Sequence, residues 1–338
     1  MSHKHPSKDV IEVHFEVEPE LHGMRVDHFL KRKIERLSRT RIQRIIATQL
    51  EGPGGRRMKA HSPVAAGDKL VIRRPARPEP DAPRDIGVLY DDAALLAVDK
   101  PALLAMHPTA KYHFNTLTAV LAERWPDEKL YTTHRLDRET SGIVLVARSA
   151  EVAARMKTLF ERRRVKKRYL AIVTGEPPAE GVIDTPIALA GAHKQVSIKM
   201  VPTPLARGGL PSETQWKVIE RRAGHTLLEV SPLTGRQHQI RAHLASAGWP
   251  IVGDKLYGGA PEEAAAREAA FMRFWERGWD DELRALWVLE RHALHAAAVE
   301  LPHPVNGAAL AIASRLPADL DGFWAGLAAP SPSSPGSR

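Results

Sequence analysis

Residues 10–17 (Val-Ile-Glu-Val-His-Phe-Glu-Val) come close to strict apolar–polar alternation and predict a strand. Val26, Phe29, Leu30, Ile34 and Leu37 then recur at helical spacing, so residues 25–37 are expected to form an amphipathic helix. Ser38 is suited to cap a second helix, whose apolar stripe is Ile42, Ile45 and Ile46, with Arg39, Arg41 and Arg44 facing elsewhere. Gly52, Pro53, Gly54 and Gly55 mark one turn; Gly67-Asp68 marks another before the apolar Leu70-Val71-Ile72. Residues 74–84 then hold four prolines (Pro75, Pro78, Pro80 and Pro83), the composition of a semi-rigid extended linker.

A larger domain is expected from Ile86 onward. Strand patterns fall at 95–98, 143–146, 169–173, 213–219 and 226–230, and helical patterns at 116–124, 151–161 and 239–247. No regular β-α-β rhythm emerges, so the expected class is mixed α+β rather than doubly wound. Residues 260–291, rich in Ala, Glu, Arg and Trp, read as a helical insertion, and the Pro/Ser/Gly tail 329–338 as disordered. The resulting division is an N-terminal strand or extension (1–21), a small module (22–74), a linker (75–85) and a large domain (86–328). A chain of 338 residues suits two domains.

Charge changes the picture. The net charge is +9, yet residues 22–77 hold fifteen Lys/Arg against four acids, so this stretch carries +11 and the remainder −2. A field confined to one module points to a polyanionic partner, nucleic acid above all; the plainer alternative is a merely solubilising surface. The chain has no cysteine, which excludes disulfide scaffolds, thiolate metal sites and thiol nucleophiles. No run of about 18 apolar residues spans a membrane, and residues 1–9 lack an apolar signal core. A cytoplasmic protein without membrane contact is expected, with monomer as the default state.

Four polar clusters can carry chemistry. Residues 134–142 (His-Arg-Leu-Asp-Arg-Glu-Thr-Ser-Gly) feed directly into an apolar strand, where catalytic loops are often placed, although a plain polar turn reads the same way. Residues 162–168 hold six cations in seven positions, most of them an ordinary solvated run, and end at Tyr169, which can present a flat face to a base. In residues 233–244, a helix starting at Arg236 would place Gln237 and Arg241 one turn apart. His238 and His243 are five apart, unsuited to two metal ligands on one helical face. Residues 291–296 read as a strand or core edge. Neither a GxGxxG nor a Walker pattern occurs, so no nucleotide cofactor has a visible cradle.

These segments resemble, in order, the blocks of the RluA-type pseudouridine synthases. His134-Arg135-Leu136-Asp137, two further residues, then Thr140-Ser141-Gly142 resembles the family signature. Asp99-Lys100-Pro101 with His107-Pro108, Arg168-Tyr169-Leu170-Ala171, residues 234–241 continuing to Gly253-Asp254 and Tyr257-Gly258, and Leu294-His295-Ala296 with His303-Pro304 resemble the rest. The N-terminal module, from Arg25-Val26-Asp27 through residues 38–43 to Gly67-Asp68, is similar to the small RNA-binding module named after ribosomal protein S-four. Residues 49–57 depart from that module's usual hairpin, and 260–291 has no counterpart with an assigned role.

The resemblance implies an RNA pseudouridine synthase, an isomerase working without cofactor or metal, on a mixed, largely antiparallel sheet. It gives Asp137 the catalytic carboxylate, as nucleophile or as base toward a sugar proton. Arg241, with Arg236 as the second choice, would keep it ionised. Tyr169 would stack on the target base, Leu294 would line the same pocket, Arg135 would fill the space left by the flipped uridine, and His134 would join the substrate site. Arg25, Arg39, Arg41, Arg44 and Lys59 would hold flanking RNA through phosphates. Large-subunit ribosomal RNA, or a pre-ribosomal particle, is the expected target. A tRNA enzyme, a catalytically silent assembly factor, and a metal-dependent hydrolase built on His134, Asp137, His238 and Asp254 are the alternatives.

Overall fold

The computed structural model describes residues 10–35, 37–76, 78–109, 111–191, 196, 198–258 and 263–328. The tail 329–338, residues 1–9 and the first part of the expected insertion, 260–262, lie outside them. The chain divides into two compact units, residues 1–80 and 81–338.

In the smaller unit, β1 (Val10–Glu16) pairs antiparallel with β3 (Lys69–Pro75), and β3 with the short β2 (Leu50–Glu51). β1, read from sequence as an extension ahead of the module, is thus part of its sheet. Two helices, α1 (Val26–Lys33) and α2 (Arg39–Thr48), bring Phe29, Leu30, Ile42 and Ile46 onto a core shared with Leu70 and Ile72. Ser38 caps α2 by accepting the Arg41 amide N–H at 3.3 Å. α1 ends at Lys33, four residues before its periodicity does. Lys31 Nζ donates to the carbonyls of Glu35 and Leu37, groups left open when the helix stops, while Ile34 and Leu37 still pack on the core from a turn.

The larger unit is built on a ten-stranded sheet among the described residues. Its strands are β4 (Gly87–Asp91), β5 (Leu95–Lys100), β6 (Tyr131–Thr132), β7 (Ser141–Ala147), β8 (Lys166–Thr174), β9 (Glu180–Ile183), β12 (Thr214–Arg222), β13 (His225–Pro232), β14 (Leu294–Pro302) and β15 (Ala309–Ala313). A separate hairpin pairs β10 (Ile187–Leu189) with β11 (Met200–Pro202). The main path runs β4-β5-β7-β14-β8-β13-β12-β9, antiparallel throughout except for β7 against β14. β5 and β7 are buried on both faces, which explains their unbroken apolar runs. Leu96, Val98, Val144 and Val146 pack under α3 (Leu117–Arg124). Leu95, Ala97, Ile143 and Leu145 face α4 (Ala150–Glu161) instead.

Four further helices complete the unit: α5 (Gln239–Ser246), α6 (Ala264–Arg277), α7 (Asp281–Leu286) and α8 (Ala318–Gly326). α6 and α7 lie within the stretch expected to be a helical insertion, and α7 ends at Leu286. Arg291 is buried and donates to both Asp319 oxygens, so it belongs to the body of the unit. The second half of the expected linker also packs here, with Arg84 Nη1 donating to the Phe114 carbonyl at 2.7 Å. Where β7 meets β14, Gly142 has φ +110°, and a Cβ there would lie 2.3 Å from the Ala296 carbonyl oxygen. Only glycine permits that approach.

Candidate active site

The loop 133–140 and the segment 232–241 converge on a cavity of about 360 Å³, lined among others by Arg135, Asp137, Lys167, Tyr169, Arg236, Arg241 and Leu294. That volume suits a small-molecule or single-base site. Seven of the predicted catalytic and substrate residues therefore meet in one place, His134 included.

At its floor, Arg241 Nη1 donates to Asp137 Oδ2 at 2.8 Å. The other edge of the guanidinium donates to both oxygens of fully buried Asp254, at 2.7 and 2.9 Å. Asp254 in turn accepts the backbone N–H groups of Leu256 and Tyr257. Arg241 is thus held by Asp254 and offers one free corner to Asp137. Burial pushes the Asp137 carboxyl up, but the charges around it, Arg241 first, together with the Arg241 hydrogen bond outweigh this and hold it below the ordinary carboxylate range. An ionised carboxylate, 20% exposed, therefore faces the cavity at neutral pH. Arg236 is not its partner. It is exposed at the cavity mouth and donates to the Pro211 carbonyl at 3.2 Å.

His238 lies beside the pair, with Nε2 3.8 Å from Asp137 Oδ1. Burial, reinforced by Arg241, lowers its pKa to about 4, so the ring is neutral. The Tyr257 hydroxyl accepts the Met200 N–H at 2.7 Å and is hydrogen-bonded to His238 Nδ1 at 3.0 Å. His238 takes a left-handed backbone, φ +50°, and α5 starts only at Gln239. The helix thus begins where its pattern at 239–247 places it and does not extend back to Arg236: the Gln239 side-chain oxygen accepts the Arg236 N–H and the Thr234 hydroxyl, folding the chain over itself ahead of the helix. Gln237 consequently leaves the Arg241 face and donates to the Ile198 carbonyl.

Tyr169, on β8, forms one wall; burial first and the Asp137 charge second push its hydroxyl pKa up, so it stays protonated. Leu294, at the start of β14, is 4% exposed. Arg135 is exposed at the mouth. His134 lines the cavity while its Nε2 accepts the Leu145 N–H at 3.0 Å and its ring packs 5.4 Å from Phe160. Burial drops its pKa to about 3, and the neutral ring fastens the catalytic loop to β7.

Several supporting residues carried little weight in the sequence reading. Lys100 is fully buried and donates to the carbonyls of Pro101, Leu104 and Arg138, tying the loop after β5 to the loop of Asp137; burial lowers its pKa to about 7. Lys255 donates to both Glu139 oxygens at 2.9 Å and to the Glu290 carbonyl at 2.8 Å. Its ammonium sits 5.2, 5.1 and 6.0 Å from the ring centres of Phe274, Trp279 and Trp287. The first two belong to the insertion, so α6 and the turn after it cover the ion pair that holds the catalytic loop. The signal for Lys255 was its place next to Asp254 in an otherwise apolar, glycine-bounded stretch.

In the basic unit, Arg25 donates to both oxygens of buried Asp27 and is partly committed to that fold contact. Arg39, Arg41, Arg44 and Lys59 are exposed. Among the described residues no cluster of His, Asp or Glu could hold a metal ion. The hydrolase alternative also fails because Asp254 is engaged by Arg241 and His134 by the Leu145 amide.

A buried arginine that holds a carboxylate ionised at the floor of a cavity, with a tyrosine in its wall, is an arrangement suited to enzymatic carboxylate chemistry. The sequence pattern of the RNA pseudouridylate synthase family matches residues 94–246. The chain is 30% identical to the ribosomal large subunit pseudouridine synthase C of Vibrio cholerae, covering 90% of this chain and 94% of that protein. It is 34% identical to an RNA pseudouridine synthase of Chloroflexus aurantiacus over 90% of both. The solved human RNA pseudouridylate synthase domain containing 4 superposes with a TM-score of 0.53 at 28% identity, covering 70% of this chain and 90% of that one. The protein belongs to the RNA pseudouridylate synthase family and is an isomerase.

Proposed function

We propose that this enzyme converts specific uridines of large-subunit ribosomal RNA to pseudouridine, with Asp137 as the catalytic carboxylate. The observation that carries the reading is the 2.8 Å contact between Arg241 and Asp137 at the floor of a cavity walled by Tyr169. The reaction breaks the bond from the sugar carbon to uracil N1 and forms one to C5; C5 loses a proton and N1 gains one, so nothing is added or removed overall. Ionised Asp137 can attack the anomeric carbon or remove a sugar proton, and Arg241 holds it charged and oriented for either. Tyr169 stacks on the base while its hydroxyl remains protonated, and Leu294 excludes water. A uridine reaches this depth only when flipped out of its helix, and Arg135 at the mouth is placed to fill the gap.

The ribosomal target rests on the relatives, several of which are ribosomal large subunit pseudouridine synthases C and D, and on the basic unit. Its exposed arginines on α2 suit a phosphate-binding, S-four-like surface acting in the cytoplasm on rRNA or its precursor particle. The test is to incubate unmodified large-subunit rRNA with the protein and with Asp137→Asn, then map pseudouridine. New sites with the first and none with the second are expected; sites formed equally by both would remove Asp137 from the chemistry.

A further inference from the structure

Lys167 is a cavity residue that the chemistry above does not use. Of the six cations at 162–168, the other five are exposed and Lys167 alone turns inward. It lies two positions before Tyr169 on β8, and side chains two apart on a strand project to the same face, so the ammonium and the stacking ring share one wall of the cavity. Among the described residues its ammonium makes one hydrogen bond, to the Thr234 carbonyl, at a long 3.3 Å. Among the described residues no carboxylate lies within ion-pair distance of it, whereas Arg241 has two. Next to that carbonyl is Gly235, where an added Cβ would stand 3.7 Å from Nζ; glycine leaves the space over the ammonium open. Burial without a compensating charge lowers its pKa to about 8.

A buried charge facing a cavity with no counter-ion is an incomplete pair. The cavity lining carries four cations, Arg135, Lys167, Arg236 and Arg241, against the single carboxylate of Asp137. A uracil carbonyl would give the ammonium a second neutral dipole of the kind Thr234 already supplies. The anionic parts of an RNA substrate are its phosphodiesters. We infer that Lys167 binds a phosphodiester oxygen adjacent to the flipped uridine and so fixes the depth to which the nucleotide enters. This rests on the proposed RNA-isomerase function.

The test pairs Lys167→Met with RNA oligonucleotides whose uridine the wild-type enzyme converts, carrying one uncharged methylphosphonate either 5′ or 3′ of that uridine. Lys167→Met should lower kcat/KM roughly ten- to hundred-fold, mainly through KM, as expected for losing one charge-assisted hydrogen bond. One of the two methylphosphonates should cost the wild type a similar factor and cost Lys167→Met less than about two-fold; which one identifies the phosphate. Lys167→Arg should recover part of the loss. Full, independent losses at both positions in Lys167→Met, or a fall in kcat with KM unchanged, would overturn the assignment. Should no uridine be converted, the proposed function falls, but Lys167 is still read by binding uridine 5′-monophosphate and uridine 3′-monophosphate against uridine. A preference for either monophosphate that Lys167→Met abolishes supports the contact, and preferences that the variant retains in full refute it.

Discussion

Arg241 and the arginines of α2 carry the same guanidinium in opposite settings. Arg241 is 7% exposed and fixed by hydrogen bonds to Asp254 and Asp137. Arg41 and Arg44 are exposed and, among the described residues, make no ion pair; Arg39 only approaches Asp27, at 3.9 Å. The first setting gives direction and a defined protonation state at one atom. The second gives long-range attraction, screened by salt, with little geometric demand. On the proposed function, holding RNA and acting on it fall to these two settings separately, and the two should respond differently to mutation.

The sharpest break is Asp137→Asn. It should reduce conversion by at least about 10³-fold while RNA affinity stays within about two-fold, measured by pseudouridine formation and by filter binding. A matching loss of affinity would erase the separation. Next is Asp254→Ala, which strips the buried partner from Arg241 and should lower unfolding free energy by about 3–5 kcal/mol in urea titrations. Replacing Arg39, Arg41 and Arg44 together by Gln should leave kcat intact but flatten the salt dependence of binding, by about two units or more of log–log slope. An unchanged slope would show that the basic unit does not carry the phosphate contacts.

Two smaller effects concern protonation and the insertion. His134 and His238 are neutral in the fold, with pKa values lowered from 6.5 to about 3 and about 4. Such lowered groups contribute stability that is complete above pH 6.5 and lost progressively as pH falls toward those values. The thermal midpoint should therefore drop between pH 7.5 and pH 4.5; a flat midpoint would show the rings are not held neutral. Trp279→Ala opens one side of the Lys255 site and should lower kcat a few-fold with KM unchanged, as expected when only the cover of the Glu139 ion pair loosens.

Much of this architecture was legible because its causes are local. Strand alternation, the Ser38 cap and the double-sided apolar runs of β5 and β7 are written in neighbouring residues, whereas residues 134–142 read equally as a polar turn until the family resemblance gives them a role. What was not legible depends on distant partners. α1 stops before its periodicity does, and Lys31 then reaches forward to the open carbonyls of Glu35 and Leu37. Gln237 leaves the Arg241 face because Gln239 bonds back to Thr234 and Arg236 ahead of α5. That His134 also fastens its loop to β7 shows only once Leu145 is seen donating to it from eleven residues away. Lys167 was concealed by five neighbours of the same charge that face water. The role of Phe274 and Trp279 requires Lys255 to be next to Glu139, a pairing across more than a hundred residues.

Asp254 and Lys255 are adjacent in the chain, and each grips one side of the reaction centre: Asp254 the guanidinium, Lys255 the loop that bears the carboxylate. A sway of this dipeptide carries both partners in the same direction, so their separation is insulated from movement of the segment that anchors them. Widening that 2.8 Å gap requires the two neighbours to move apart from each other, which one rigid peptide unit between them resists.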